Sequence, residues 1–293
     1  MSYRWASATL GCGGCDGGGA GGGGGVYAGA GGGEIRLTTT GAKPPGATDE
    51  ASAALAVREM FDAIAPRYDL LNHVLSANVD RIWWRRAARR FRATLANPDA
   101  AILDICCGTG DMTMALLKLS PPGARPIIAA DFSRAMLERG TKKFGGPSVG
   151  ARKEGQPYAV PMEADALHLP LESGSMDLIV SAFGFRNLAN YEAGLREFHR
   201  VLKPGGQLGI LEFSEPGGLV GKAYAVYFRR VLPAIGRAIC GNNGAYNYLP
   251  ASVGRFPAPP ELLGMMWAAG YEECAWQPYT FGIAGLYTAR RAR

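Results

Sequence analysis

The chain has 293 residues, 47% of them hydrophobic and 19% charged, with a formal net charge of +6. That length builds one large domain or two small ones, and the apolar share can fill a core; no stretch approaches the ~18 consecutive apolar residues of a membrane-spanning helix. Residues 1–50 hold three basic and four acidic side chains, so the positive excess belongs to the remainder, a balance that favours anionic surfaces such as lipid headgroups or nucleic acid.

Residues 11–33 contain fifteen glycines. Glycine at that density cannot offset its ordering entropy by burying side chains, which predicts a disordered tail over residues 1–50. The tail is poor in arginine and carries acids, unlike an organellar transit peptide. Cys12 and Cys15 have CxxC spacing without a second half-site, and His73, His168 and His199 are scattered, so no metal is expected. With no secretory segment and no disulfide framework, the six cysteines fit a reducing cytoplasm.

From residue 51 the texture changes, and residues 51–293 are expected to form one domain. Residues 51–98 predict a helical cap. Its first helix has Leu55, Met60, Ile64 and Leu71 among its apolar positions, with Pro66 at a boundary or bend. The second, "DRIWWRRAARRF", places Trp83, Trp84, Ala87, Ala88 and Phe91 on one stripe, with Arg81, Arg85, Arg86, Arg89, Arg90 and Arg92 around it. Over residues 99–214 strands and helices alternate. Strands are expected at 100–105, 126–131, 158–165, 177–182 and 207–213, and helices at 112–119, 133–144 (capped by Ser133) and 191–202, the last stopped by Pro204-Gly205-Gly206. This alternation predicts an α/β, Rossmann-like, mostly parallel sheet with helices on both faces. Residues 215–260 read as a mostly helical insertion, and residues 261–293 as a closing helix and two strands.

"ILDICCGTGD" ends a strand and starts a helix. Gly108 and Gly110 allow a tight turn and close approach of a ligand to the backbone, and Asp131 lies at the end of the next strand, suited to ribose hydroxyls. A nicotinamide dinucleotide is disfavoured, because Asp111 stands where a pyrophosphate would bind and Thr113 replaces the third glycine of the fingerprint. A cofactor with an ammonium and a sulfonium, S-adenosylmethionine, is attracted by Asp104 and Asp111 instead. Asp165, just past the third strand, can accept from an adenine amino group while the Ala166 amide donates to the ring.

These strings resemble class I methyltransferases that use S-adenosylmethionine. "MFDAIAPRYDLLNHVLS", "SAFGFRNLANYEAGLREFHRVLKPGGQLGILEFSEP", "YNYLPASVGRFP" and "TFGIAGLYTA" narrow the resemblance to the quinone-biosynthesis C-methyltransferases, from about residue 58 to the C-terminus. The resemblance implies a seven-stranded sheet and methylation of a ring carbon of a prenylated quinol, either demethylmenaquinol or the ubiquinone precursor. It places cofactor contacts at Thr109, Asp131, Asp165 and Ala166, and at Ala182, where a serine is usual and the hydroxyl is lost or displaced to Ser181. Cys106 and Cys107 stand where small residues are commoner and read as small buried hydrophobes.

Ring C-methylation needs a quinol that has lost a proton. Arg186 cannot act as a base, but it can stabilise the oxyanion. Asn187 can orient the hydroxyl, Tyr68 can relay a proton, and water or Asp69 can accept it. The competing reading pairs Arg186 with an acid as a structural cap on the strand. Two further function classes stand as alternatives: a nicotinamide-dependent oxidoreductase, and a nucleic-acid methyltransferase motivated by the arginine-rich helix. Nucleic acid is not expected as a partner. The expected partners are the quinol and an anionic membrane surface at the cytoplasmic face, touched peripherally through the arginine-rich helix, and a homodimer is allowed for.

Overall fold

A computed structural model describes residues 41–65, 78–144, 155–216, 218, 221 and 245–293. The elements are α1 (Glu50–Ile64), α2 (Asp80–Arg90), α3 (Arg92–Leu95), β1 (Ile102–Ile105), α4 (Asp111–Leu117), β2 (Ile127–Asp131), α5 (Arg134–Phe144), β3 (Ala159–Glu163), β4 (Met176–Ala182), α6 (Tyr191–Val201), β5 (Leu202–Phe213), α7 (Ala245–Arg255), α8 (Pro259–Ala268), β6 (Tyr271–Tyr279) and β7 (Ala284–Arg291). Short 3-10 turns stand at Phe185–Asn187 and Thr280–Gly282.

The seven strands form one sheet in the order β3-β2-β1-β4-β5-β7-β6. The first five are parallel, and β7 runs antiparallel between β5 and β6. All four residues of β1 are buried, as its apolar run requires of a strand covered on both faces. One core layer packs α6 and α8 on the sheet through Tyr191, Leu195, Phe198, Leu262 and Met266. The other packs α2, α4 and α5 through Trp83, Phe91, Met112, Leu116 and Leu137. The expected stripe of α2 is therefore core: Trp83, Trp84, Ala87, Ala88 and Phe91 are all buried.

Three elements differ from expectation. Residues 41–50 are part of the folded unit: the Ala42 amide donates to the Leu188 carbonyl at 2.8 Å, and Asp49 caps α1 in a reciprocal box with Ser52. Along α1 the buried residues are Ala53 and Val57, whereas Leu55 is exposed, because only a narrow stripe of the helix faces the domain. Pro204-Gly205-Gly206 does not separate α6 from a later strand. It lies inside β5, where Leu202 pairs with Met176 and the register shifts before Gln207 pairs with Leu178. The extra residues are taken up as an irregularity, with Gly205 at φ 76°. Of the expected insertion, α7 is described. Tyr68, Asp69 and Leu71 lie outside the described residues, as do residues 1–40.

Candidate active site

The sheet changes direction between β1 and β4: from β1 the chain moves outward to β2 and β3, and from β4 to β5 on the other side. The crevice beyond the carboxyl ends of two such strands is where ligands bind in open α/β sheets. Both strands end here on a non-glycine residue in the left-handed region, Cys106 at φ 56° and Phe183 at φ 58°. Such conformations cost about 1–3 kcal/mol each and cluster at functional sites. The two strand ends nearly touch. A Cβ on Gly184 would sit 2.3 Å from the Cβ of Cys106, so only glycine fits there.

The glycine loop after β1 is held from beneath. The Cys107 amide donates to the Ala130 carbonyl at 2.9 Å, and the Gly108 amide donates to Asp131 Oδ2 at 2.8 Å. Asp131 Oδ1 accepts from the Ser133 amide at 2.8 Å. Asp131 thus pins the loop as well as standing at the strand end where a ribose would lie. Gly110 has φ 84°, and a Cβ there would meet the Phe144 ring at 2.5 Å.

The remaining acids of the motif are engaged within the protein. Thr109 is buried, and its Oγ1 accepts from Lys143 Nζ at 3.1 Å; the same ammonium pairs with Asp111 Oδ1 at 3.1 Å. The expectation that Asp111 attracts a cationic cofactor is corrected, because Lys143 offsets its charge. Asp104 is fully buried beneath the loop and accepts from the Thr113 hydroxyl at 2.5 Å, while its Oδ1 has no hydrogen-bond partner among the described residues.

Burial pushes the Asp104 carboxyl up to about 7, and the neighbouring Asp131 and Asp111 add to this. Burial likewise pushes Asp131 up to about 6, with Asp62 of α1 contributing repulsion. A cation set among these crowded carboxyls would lower them again. The residues therefore fit an adenosine whose tail carries a sulfonium: small residues at the loop, an acid at the end of β2 and an orphaned acidic oxygen beneath.

Asp165 Oδ1 accepts from the Leu167 amide at 2.9 Å, and Oδ2 lies 3.1 Å from His168 Nδ1. It thereby builds the turn that presents Ala166, which is buried. Ala182 is half-buried at the end of β4. Ser181 is fully buried and, one residue along the strand from Ala182, faces the other side of the sheet from the place where the serine is usual.

Arg186 is buried in an ion pair. Its Nη1 lies 3.1 and 3.2 Å from the two oxygens of Glu212, a fully buried residue of β5, and also donates to the Phe183 carbonyl. The guanidinium lies 5.4 Å from the centre of the Phe213 ring. The pairing of Arg186 with an acid is thus present. Burial pushes the Glu212 carboxyl up, and Arg186 opposes that shift. The Tyr191 hydroxyl donates to the Arg186 carbonyl at 2.9 Å, which fixes the turn. Next to this pair, Asn187 Oδ1 is buried without a donor among the described residues. Phe183 and Phe213 pack at 4.4 Å between ring centres, and Trp83 of α2 joins them, so an aromatic wall borders the crevice.

Three participants had not been anticipated: Glu212, Lys143 and Asp62. Asp62 accepts from the Ser133 hydroxyl at 2.5 Å, and Arg58 of the same helix pairs with Glu163 at 2.7 Å, so α1 rests on the tips of β2 and β3 beside Asp131. Among the described residues no group of His, Cys, Asp and Glu could hold a metal ion. A further pocket of about 330 Å³ opens beyond the end of β5, lined by Ser214, Pro216, Trp276, Pro278 and Phe281 among others.

Comparison with known proteins agrees with this fold. Solved structures share the fold at low identity. A possible histamine N-methyltransferase from Thermotoga maritima matches with TM-score 0.54 and 17% identity over 80% of this chain and 99% of that one. The magnesium protoporphyrin IX methyltransferase of Synechocystis, solved with bound S-adenosylhomocysteine, matches with TM-score 0.54 and 15% identity over 81% and 99%. Closer in sequence are the demethylmenaquinone methyltransferases of Deinococcus radiodurans, 44% identical over 85% of this chain and 98% of the relative, and of Thermus thermophilus, 46% identical over 79% and 100%. The ubiquinone/menaquinone biosynthesis C-methyltransferase of Geobacter sulfurreducens is 40% identical over 80% and 88%. With residues 48–291 matching its family model, the chain belongs to the ubiE/COQ5 methyltransferase family.

Proposed function

We propose that the protein transfers a methyl group from S-adenosylmethionine to a ring carbon of a prenylated quinol, with demethylmenaquinol as the substrate. The observation that supports the site assignment is Asn187 Oδ1, an acceptor buried without a donor among the described residues beside the switch point; a quinol hydroxyl supplies a donor. When bound, S-adenosylmethionine supplies an electrophilic methyl group. Asp131 and the loop from Gly108 to Gly110 hold its adenosine end, and the Ala166 amide meets the adenine. Asn187 orients the quinol hydroxyl. Arg186 stabilises the oxyanion as the proton leaves, and Glu212 holds the guanidinium in place. The aromatic wall of Phe183 and Phe213 keeps the quinol ring in line with the methyl group, and positioning of this kind accounts for much of the rate in such transfers. Tyr68 and Asp69 remain in this proposal as proton relay and acceptor.

Incubation with demethylmenaquinol and with the ubiquinone precursor, followed by mass spectrometry, tests the reading. A gain of one methyl group on the menaquinone precursor is expected, and labelling of neither quinol overturns it.

The raised carboxyl of Asp131 predicts a pH dependence. Its charged form accepts the ribose hydroxyls, so affinity for S-adenosylhomocysteine rises as pH rises through about 6. The fold contribution has the opposite sign: the folded carboxyl sits above its ordinary 3.8, so the stability it contributes falls as pH rises between 3.8 and about 6. Calorimetry on Asp131→Asn should show affinity lowered by about 1.5–3 kcal/mol at neutral pH and a flatter pH profile. Parent-like affinity removes Asp131 from the site.

The membrane-surface reading draws support from α2. Arg81, Arg85, Arg86, Arg89, Arg90 and Arg92 are exposed, and none has an acidic partner among the described residues. The two tryptophans are core, so α2 attracts headgroups without inserting. Each arginine near an anionic leaflet contributes roughly 1 kcal/mol. Replacing Arg85, Arg86, Arg89 and Arg90 with glutamine should reduce co-sedimentation with anionic vesicles, as added salt does for the parent. No helix among the described residues is long and apolar enough to cross a membrane.

A further inference from the structure

The turn between β6 and β7 carries a side chain that the fold does not use. Phe281 is 84% exposed and sits at φ 57°, with Thr280 before it at φ 45°. A large apolar residue in a left-handed turn gains neither burial nor relaxed backbone there, so neither core packing nor turn geometry accounts for it. The turn is fixed against α2. Trp83 Nε1 donates to Thr280 Oγ1 at 2.8 Å, and the Arg86 guanidinium lies 4.5 Å from the centre of the Tyr279 ring. Phe281 therefore stands beside the arginine face, and Ile82 of α2, 50% exposed, adds a second apolar side chain to it. Phe281 also lines the pocket beyond β5, together with Ser214, Pro216, Trp276 and Pro278.

We propose that the β6–β7 turn is the membrane-inserting element of the protein: Phe281 enters the acyl boundary of an anionic lipid surface, and the arginines of α2 contact the headgroups around it. The occupant is a lipid surface because the apolar tip is flanked by positive charge without acidic partners among the described residues, a pairing complementary to anionic headgroups over acyl chains. The proposal rests on the membrane-surface reading above.

Phe281→Gly removes the ring and suits the positive φ, so the fold is retained. With vesicles of phosphatidylcholine and phosphatidylglycerol, this variant should partition about tenfold more weakly than the parent, the scale of a buried phenylalanine, with thermal midpoint and S-adenosylhomocysteine affinity unchanged. Phe281→Trp should bind vesicles, and the added fluorescence should be quenched by lipids brominated on their acyl chains. Parent-like partitioning of the glycine variant, or unquenched fluorescence in the vesicle-bound tryptophan variant, overturns the proposal. So does a dimer in sedimentation velocity that dissociates in Phe281→Gly without any vesicle binding, which assigns the turn to self-association. A parent that does not sediment with these vesicles overturns the membrane-surface reading and the proposal with it, whereas parent-like partitioning of Phe281→Gly overturns the proposal alone.

Discussion

Replacing Arg186 with leucine lowers stability by about 3–5 kcal/mol, because it leaves the fully buried Glu212 without its counter-charge. In a domain of this size that corresponds to a fall in thermal midpoint of roughly 6–20 °C. The deficit depends on pH with a defined sign. Burial already pushes the Glu212 carboxyl above its ordinary value, and Arg186 is the main opposing influence. Without Arg186 the carboxyl shifts further up, so the variant loses stability as pH rises above 4.5, and the gap to the parent is wider at pH 8 than at pH 5. The double variant Arg186→Met/Glu212→Leu removes both charges and should recover most of the lost midpoint, since a buried ion pair is often worth no more than an apolar replacement. Turnover then separates structure from chemistry. A stable double variant without methylation places Arg186 in the reaction; a stable and active one confines it to holding the turn.

Gly184→Ala should weaken S-adenosylhomocysteine binding tenfold or more, with Cys106→Gly restoring it in the double variant. The added Cβ would lie 2.3 Å from the Cβ of Cys106, an approach that neither backbone accommodates without moving. The ends of β1 and β4 would part, and the glycine loop that starts at Cys106 would move with them. Glycine at 106 removes the colliding atom and suits the φ of 56° found there. The single Cys106→Gly variant should therefore be at least as stable as the parent in its backbone, less the packing lost with the thiol. Calorimetric affinities of the four proteins close a cycle, and unaltered binding in Gly184→Ala alone shows that the two strand ends have slack.

Much of this site was legible because it is local in sequence. A strand followed by Gly108 and Gly110, then Asp131 at the next strand end, specifies positions that a βαβ crossover brings together. The apolar stripe of α2 was equally readable, since Trp83, Trp84, Ala87, Ala88 and Phe91 keep helical spacing and all are buried. Charge partners were not. Glu212 meets Arg186 because β4 and β5 are neighbours in the sheet, and no local pattern expresses that adjacency. A signal was available: a lone glutamate in "LGILEF" is a charge within an otherwise apolar strand, and buried charges need partners. Lys143 reaches Asp111 from the end of another helix, which spacing cannot reveal. The long β5 was hidden by Pro204-Gly205-Gly206, whose turn chemistry usually ends an element; here pairing with β4 outweighs it.

The seat of α1 has a consequence for how the molecule opens. Among the described residues its buried apolar contacts include a small cluster of Ala42, Val57 and Tyr248, with Met60 and Phe61 against it. Its ties to the cofactor strands are polar, Asp62 to Ser133 and Arg58 to Glu163. The sheet beneath is fastened by two large apolar layers. The helix is therefore a separate cooperative unit with a smaller opening free energy than the sheet. Its amides should exchange with deuterium well before those of β1 and β4, at a rate that ligand binding slows.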